Sequence, residues 1–234
     1  MYYGIDWTYI VLVLPAVLFS LWASSSVKST FKKYSKQHSS RGMTAADAAR
    51  FVLDRNGLRN IRIEHISGDL TDHYDPTAGV IRLSDSVYSS TSTAAIGVAC
   101  HETGHAIQHA QNYLPVKIRT AIIPLTNFGS KLSMPLLLIG LLLASVSEIF
   151  VWMAYAGVAC FALSTVFQLV TLPTEFDASR RALRCIEGSN LLYGEELKGA
   201  KKTLRAAAMT YVAALAVSAM QLLRFIVLIN NRRR

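Results

Sequence analysis

Four apolar stretches restrict what this chain can fold into more than anything else in it. They run from Trp7 to about Ala23, from Leu132 to Val146, from Ile149 to Val170 and from Ala206 to Asn230. A helix needs about 20 apolar residues to cross the hydrocarbon of a bilayer, so each stretch is read as a transmembrane helix. Trp7, Tyr9 and Trp22 stand near the ends of the first, where amphipathic rings favour the membrane interface. A cleaved signal peptide is the competing reading of that stretch. Met1 to Asp6 carry no Lys or Arg, so an uncleaved anchor is expected instead. Only Ser145 to Glu148 interrupt the second and third stretches, which are expected to form a helical hairpin. The helix leading into it starts near Val116 and passes Pro124 and Pro135. Small residues between Ala206 and Ala219 suit the last helix to close packing. Hydrophobic residues make up 52% of the chain and charged residues 17%, which is unusual for a soluble domain. The expected class is therefore a mainly α integral membrane protein.

Charge orients these helices. The net charge is +9, but the basic residues flank the apolar stretches and form no aromatic-laced stripe. That excludes a nucleic-acid partner and points to topology and anionic lipid headgroups. Lys28, Lys32, Lys33, Lys36 and Arg41 follow the first helix with no acidic residue among them, which places that side in the cytoplasm. The hairpin connection carries no Lys or Arg and should face away from it. Lys198, Lys201, Lys202 and Arg205 put the start of the last helix in the cytoplasm, although a full span then leaves Arg232, Arg233 and Arg234 outside, against the bias. Four spans with both termini outside are expected.

Between the first helix and the hairpin lies a polar region. Thr44 is expected to cap a helix that Asn56 and Gly57 close. Ile61 to Ile66 alternates like a half-buried strand, Val80 to Leu83 reads as a second, and the turn-rich Asp72 to Gly79 lies between them. An exposed edge of such a β element could hold an extended peptide by main-chain hydrogen bonds. Ala94 to His109 then reads as a buried helix containing His101-Glu102-Thr103-Gly104-His105. One helical turn separates His101 from His105, so both imidazoles can reach one metal ion. Glu102 points roughly 100° away, beside such an ion, where a carboxylate can move a proton from an attacking water to a leaving amine. A buried helix holding two His and a Glu is explained by zinc; the bland alternative is a chance match on a surface helix. His65 and His73 are read as satisfied strand or surface residues, with His73 and Tyr74 as candidates for a substrate cleft. Cys100, Cys160 and Cys185 form no CxxC pair and no even disulfide set, in keeping with a reducing compartment.

A catalytic zinc takes three protein ligands and leaves one position open. Beyond the hairpin, Glu175 and Asp177 are acidic residues in basic surroundings, and Glu175 is the preferred third ligand with Asp177 as alternative. Both could instead offset Arg180, Arg181 and Arg184 about one turn on.

The chain resembles the YugP-type neutral zinc metallopeptidases of bacterial membranes. Matching stretches are Val27 to Phe31, Leu70 to Pro76, Val80 to Ser84, His101 to Gln108 and Leu172 to Ala182, in that order. More distantly, it is similar to the HtpX-like membrane gluzincins, which carry a ligand Glu in a Glu-x-x-x-Asp pattern after a transmembrane hairpin. The resemblance implies one Zn2+ per chain held by His101, His105 and Glu175, with Glu102 as catalytic base. Ser179 stands where the pattern has Asp, leaving support of the zinc-binding His to Asp177 or Ser179. The implied architecture is a transmembrane helix at 7–24, a zincin-like catalytic region with a small β element at 42–131, and a transmembrane hairpin at 132–171. A helix within 172–204 carries the third ligand, and a last transmembrane helix occupies 205–230. The implied activity is hydrolysis of peptide or membrane-protein substrates in a bacterial inner membrane; the basic flanks place it at the cytoplasmic face, and Tyr74, His73 and Arg180 are read as candidate oxyanion donors. One alternative is a non-proteolytic membrane scaffold or adaptor with a structural or vestigial zinc site, which would have no use for Glu102. Another is a channel or transporter, for which only Glu148 and Arg224 supply intramembrane charge.

Overall fold

A computed structural model describes residues 7–232. Met1 to Asp6, together with Arg233 and Arg234, lie outside the described residues. Among the described residues, six α-helices and three strands follow one another as α1 (Leu14–Tyr34), α2 (Ala45–Arg55), β1 (Arg62–Ile66), β2 (His73–Asp75), β3 (Val80–Ser84), α3 (Thr93–Ala110), α4 (Leu114–Leu142), α5 (Glu148–Gly188) and α6 (Glu195–Arg232). A π-helical turn, Tyr9–Val13, leads into α1. Pro15 accounts for it: its ring cannot accommodate the carbonyl four residues back, so the chain widens by one residue and Leu14 N–H reaches the carbonyl of Tyr9. Among the described residues, four helices are long and apolar enough to cross a membrane, namely Tyr9–Tyr34, Leu114–Leu142, Glu148–Gly188 and Glu195–Asn231. The protein is thus a mainly α membrane protein with a small sheet.

The chain forms two compact units. One comprises residues up to 22, 117–172 and 210 onward, and holds the most apolar parts of the four long helices. Its small core is Leu137, Ala154, Val158, Phe225 and Ile229. Large apolar side chains such as Leu142, Trp152 and Leu169 point outward, as a surface in contact with lipid requires. Gly140 and Gly157 bring α4 and α5 together so closely that a Cβ at either would stand 2.5 Å from Ala154 N or 2.7 Å from Leu137 N. Within this unit the hydroxyls of Thr165 and Ser218 pair at 2.7 Å.

The other unit comprises residues 23–116 and 173–209. Thr44 caps α2 by accepting from Asp47 N–H, and Ser92 caps α3 by accepting from Ala95 N–H. In the sheet, β3 is central, parallel to β1 and antiparallel to β2. Its Val80, Ile81, Leu83 and Ser84 are buried. The segment read from sequence as turn-rich contains β2 as well as a turn. Three residues are too few to show alternation, and the hairpin is made by Asp75, whose Oδ1 accepts from Thr77 and Ala78 N–H, before Gly79 at φ +62°. Helix α3 runs through the core of this unit, packed among Ala48, Val52, Leu83, Ala182 and Leu204.

Candidate metal centre

Because α3 is buried along most of its length, few polar side chains on it can remain unpaired. Of the polar residues of its central turns, His101, His105 and Gln108 reach α5, and Glu102 reaches the backbone of Tyr74. Contact between the helices is close at one point: a Cβ on Gly104 would lie 2.4 Å from the carbonyl oxygen of Ala178. The gap in the side-chain layer at Gly104 lets Glu175 and Ser179, one helical turn apart on α5, reach the two histidines.

Glu175 Oε2 stands 3.3 Å from His101 Nε2 and 3.5 Å from His105 Nε2. Both imidazole rings thus present the same nitrogen to one carboxylate, which is 3% exposed. Among the described residues, His101, His105 and Glu175 form the group whose donor atoms, all within 4.8 Å of one another, could hold a metal ion. The donor set fits zinc: ligand atoms about 2.1 Å from a tetrahedral centre stand about 3.4 Å apart, close to the spacings seen here. The outer nitrogens are engaged elsewhere, His101 Nδ1 with Ser179 Oγ at 3.0 Å and His105 Nδ1 with Gln108 Oε1 at 3.1 Å.

Glu102 lies beside this group and is buried, with Oε2 accepting from the main-chain N–H of Tyr74 at 2.9 Å. Burial raises its pKa above the ordinary carboxylate value, against the opposing pull of His101 and His105. The edge strand β2 therefore borders the carboxylate. Asp72 secures that strand, accepting from Ser84 N–H at 2.8 Å and from the Ser84 hydroxyl. Asp75 accepts from Arg82 at 2.9 Å, so both acids of the Asp72-His73-Tyr74-Asp75 segment hold β2 to β3.

The other candidates are dispersed. His65 bonds Asp85 at 2.6 Å, and His73 Nδ1 bonds the carbonyl of Thr71 at 2.9 Å. Asp177 accepts from Arg181 Nε at 2.5 Å and from Gln108 Nε2 at 2.9 Å rather than joining the donor group. The Tyr74 ring packs edge-on against His109, and Arg180 is exposed. Sequence reasoning did not single out Gln108 or Gly104. The available signal was a buried amide one turn past His105 and a glycine inside an otherwise regular helix.

A family model described as "putative neutral zinc metallopeptidase" matches residues 9–230. A relative from Bacillus subtilis (strain 168), described as "putative membrane protease YugP", is 45% identical over 225 residues, covering 96% of this chain and 98% of that protein. No solved structure matches the chain.

Proposed function

The chain belongs to the family of putative neutral zinc metallopeptidases, and from that premise we propose that it is a membrane-anchored zinc endopeptidase. The observation that carries the reading is the convergence of two His Nε2 atoms and a buried carboxylate beside a separately held glutamate. His101, His105 and Glu175 would hold one zinc ion per chain. Bound there, zinc supplies Lewis-acid polarisation of the scissile carbonyl and a lowered pKa for the attacking water.

The protein's own residues perform the proton chemistry. Glu102 is fixed by Tyr74 N–H beside the proposed metal, where a carboxylate can act as general base. It accepts the proton of the water as that water attacks, and donates it to the amine that leaves. Strand β2 is an edge of the sheet, and an extended peptide laid along it would pass Glu102.

The basic residues after the first apolar stretch and before the last support a centre on the cytoplasmic side of a bacterial inner membrane. Substrates there would be membrane proteins or their exposed segments. The test is metal analysis together with cleavage of an unfolded protein by wild type and Glu102→Gln. Wild type should carry one zinc per chain and cleave. The variant should keep its zinc and lose activity about 10²–10⁴-fold. Undiminished cleavage by the variant would discard the mechanism, and a wild type without zinc would discard the site.

A further inference from the structure

Gln108 is fully buried, and its carboxamide is bonded on both sides. Its Nε2 donates to the carbonyl of Thr174 at 2.8 Å and to Asp177 Oδ2 at 2.9 Å. Both partners are acceptors only, and Asp177 is further held by Arg181. The amide nitrogen must therefore face α5, which leaves Oε1 as the atom 3.1 Å from His105 Nδ1. An amide oxygen can only accept, so Nδ1 of His105 must carry the proton. That leaves its Nε2 lone pair directed at the side where Glu175 lies.

His101 is held differently. Its Nδ1 partner is the Ser179 hydroxyl, which can donate or accept and so dictates no tautomer. The two imidazoles are thus unequal, and one buried amide settles the protonation of one of them. We propose that Gln108 is a positioning residue of the centre, a carboxamide relay anchored by Thr174 and Asp177 that holds His105 with Nδ1 protonated and Nε2 turned to the metal. This rests on the reading of His105 as a zinc ligand given above. In other sites a carboxylate commonly takes this position directly; here the carboxylate of Asp177 acts one bond further out, with its charge already matched by Arg181.

The experiment measures zinc affinity of the full-length protein in detergent by competition with a chromophoric chelator. Alongside it, 15N shifts report the His105 tautomer and thermal unfolding tests the integrity of each metal-free variant. Gln108→Leu removes acceptor and donor and should weaken zinc binding about 10–100-fold. Gln108→Glu combined with Asp177→Asn exchanges acid and amide and keeps an acceptor on His105 Nδ1; because the Thr174 carbonyl then loses its donor, recovery should be partial, at least half of that loss on a logarithmic scale. Wild type should show a protonated Nδ1 on His105.

A wild type that binds no zinc would overturn both this inference and the reading beneath it. Wild-type zinc binding matched by Gln108→Leu would overturn the relay alone. So would an exchange variant that is folded yet as weak as Gln108→Leu, since packing rather than hydrogen bonding would then be the role. If Gln108→Leu does not fold, the exchange variant decides by itself: a loss of zinc affinity below about 10-fold relative to wild type supports the relay, and a larger loss overturns it.

Discussion

Glu102 is held by a backbone amide of an edge strand, so its position depends on side chains far from it in sequence. Asp72 fixes β2 through Ser84, β2 presents Tyr74 N–H, and Tyr74 N–H orients Glu102. Asp85, also in the sheet region, is held by a different set of bonds. Asp85 accepts from Gly68 N–H at 2.9 Å and from His65 at 2.6 Å, and these bonds hold its pKa below the ordinary value. A group whose pKa is lower folded than unfolded adds stability above the unfolded value and loses it as the pH falls through the folded one. The difference in unfolding midpoint between wild type and Asp85→Asn should therefore be present at about pH 6 and shrink as the pH drops below about 4. Taking the difference removes the effect of acid on the candidate metal centre, which both proteins share. A difference that grows on acidification would reverse the sign of the argument.

Among the elements, the pair α3 and α5 decides whether a centre can exist. Local sequence places His101 and His105 on one face of α3 because helical periodicity requires it. Bringing Glu175 within 3.5 Å of both requires the helices to touch, and Gly104 is where they do. Gly104→Ala would drive a methyl group onto the Ala178 carbonyl and should destabilise the fold by about 1–3 kcal/mol. It should also weaken zinc binding, because α5 carries Glu175 and Ser179 away with it. Gly188→Ala, where a Cβ would meet nothing within 4 Å, is the control and should leave stability unchanged or raise it by up to about 1 kcal/mol. Unfolding midpoints and chelator competition on both variants check this. Equal effects would mean that the close approach is not what the glycine provides. The small sheet was only half legible for a related reason: β1 and β3 show patterned side chains, whereas β2 is defined by its pairing with β3.

At the scale of the whole molecule, the four long helices were legible because hydrocarbon imposes a length and a composition that can be counted along the chain. Their orientation is read from charge. Alkaline phosphatase fused within residues 143–147 should be active in a Gram-negative host, and fusions near residues 38 and 190 should be inactive; the opposite pattern would invert the proposed topology. The sequence by itself determined those features that depend on near neighbours. These are the apolar spans, the cap of α2, the pairing of His101 with His105 on one face, and the basic flanks. It preferred Glu175 over Asp177 as a candidate third ligand, and family resemblance strengthened that preference. Only the tertiary structure decided that Glu175 faces both Nε2 atoms while Asp177 turns to Arg181 and Gln108. It also decided that Tyr74 N–H holds Glu102, and that Gln108 and Ser179 hold the histidines in different ways. The physical reason is range. Periodicity and hydropathy act over a few residues of contiguous chain, whereas a buried hydrogen bond is formed by whichever distant segment packing brings to it.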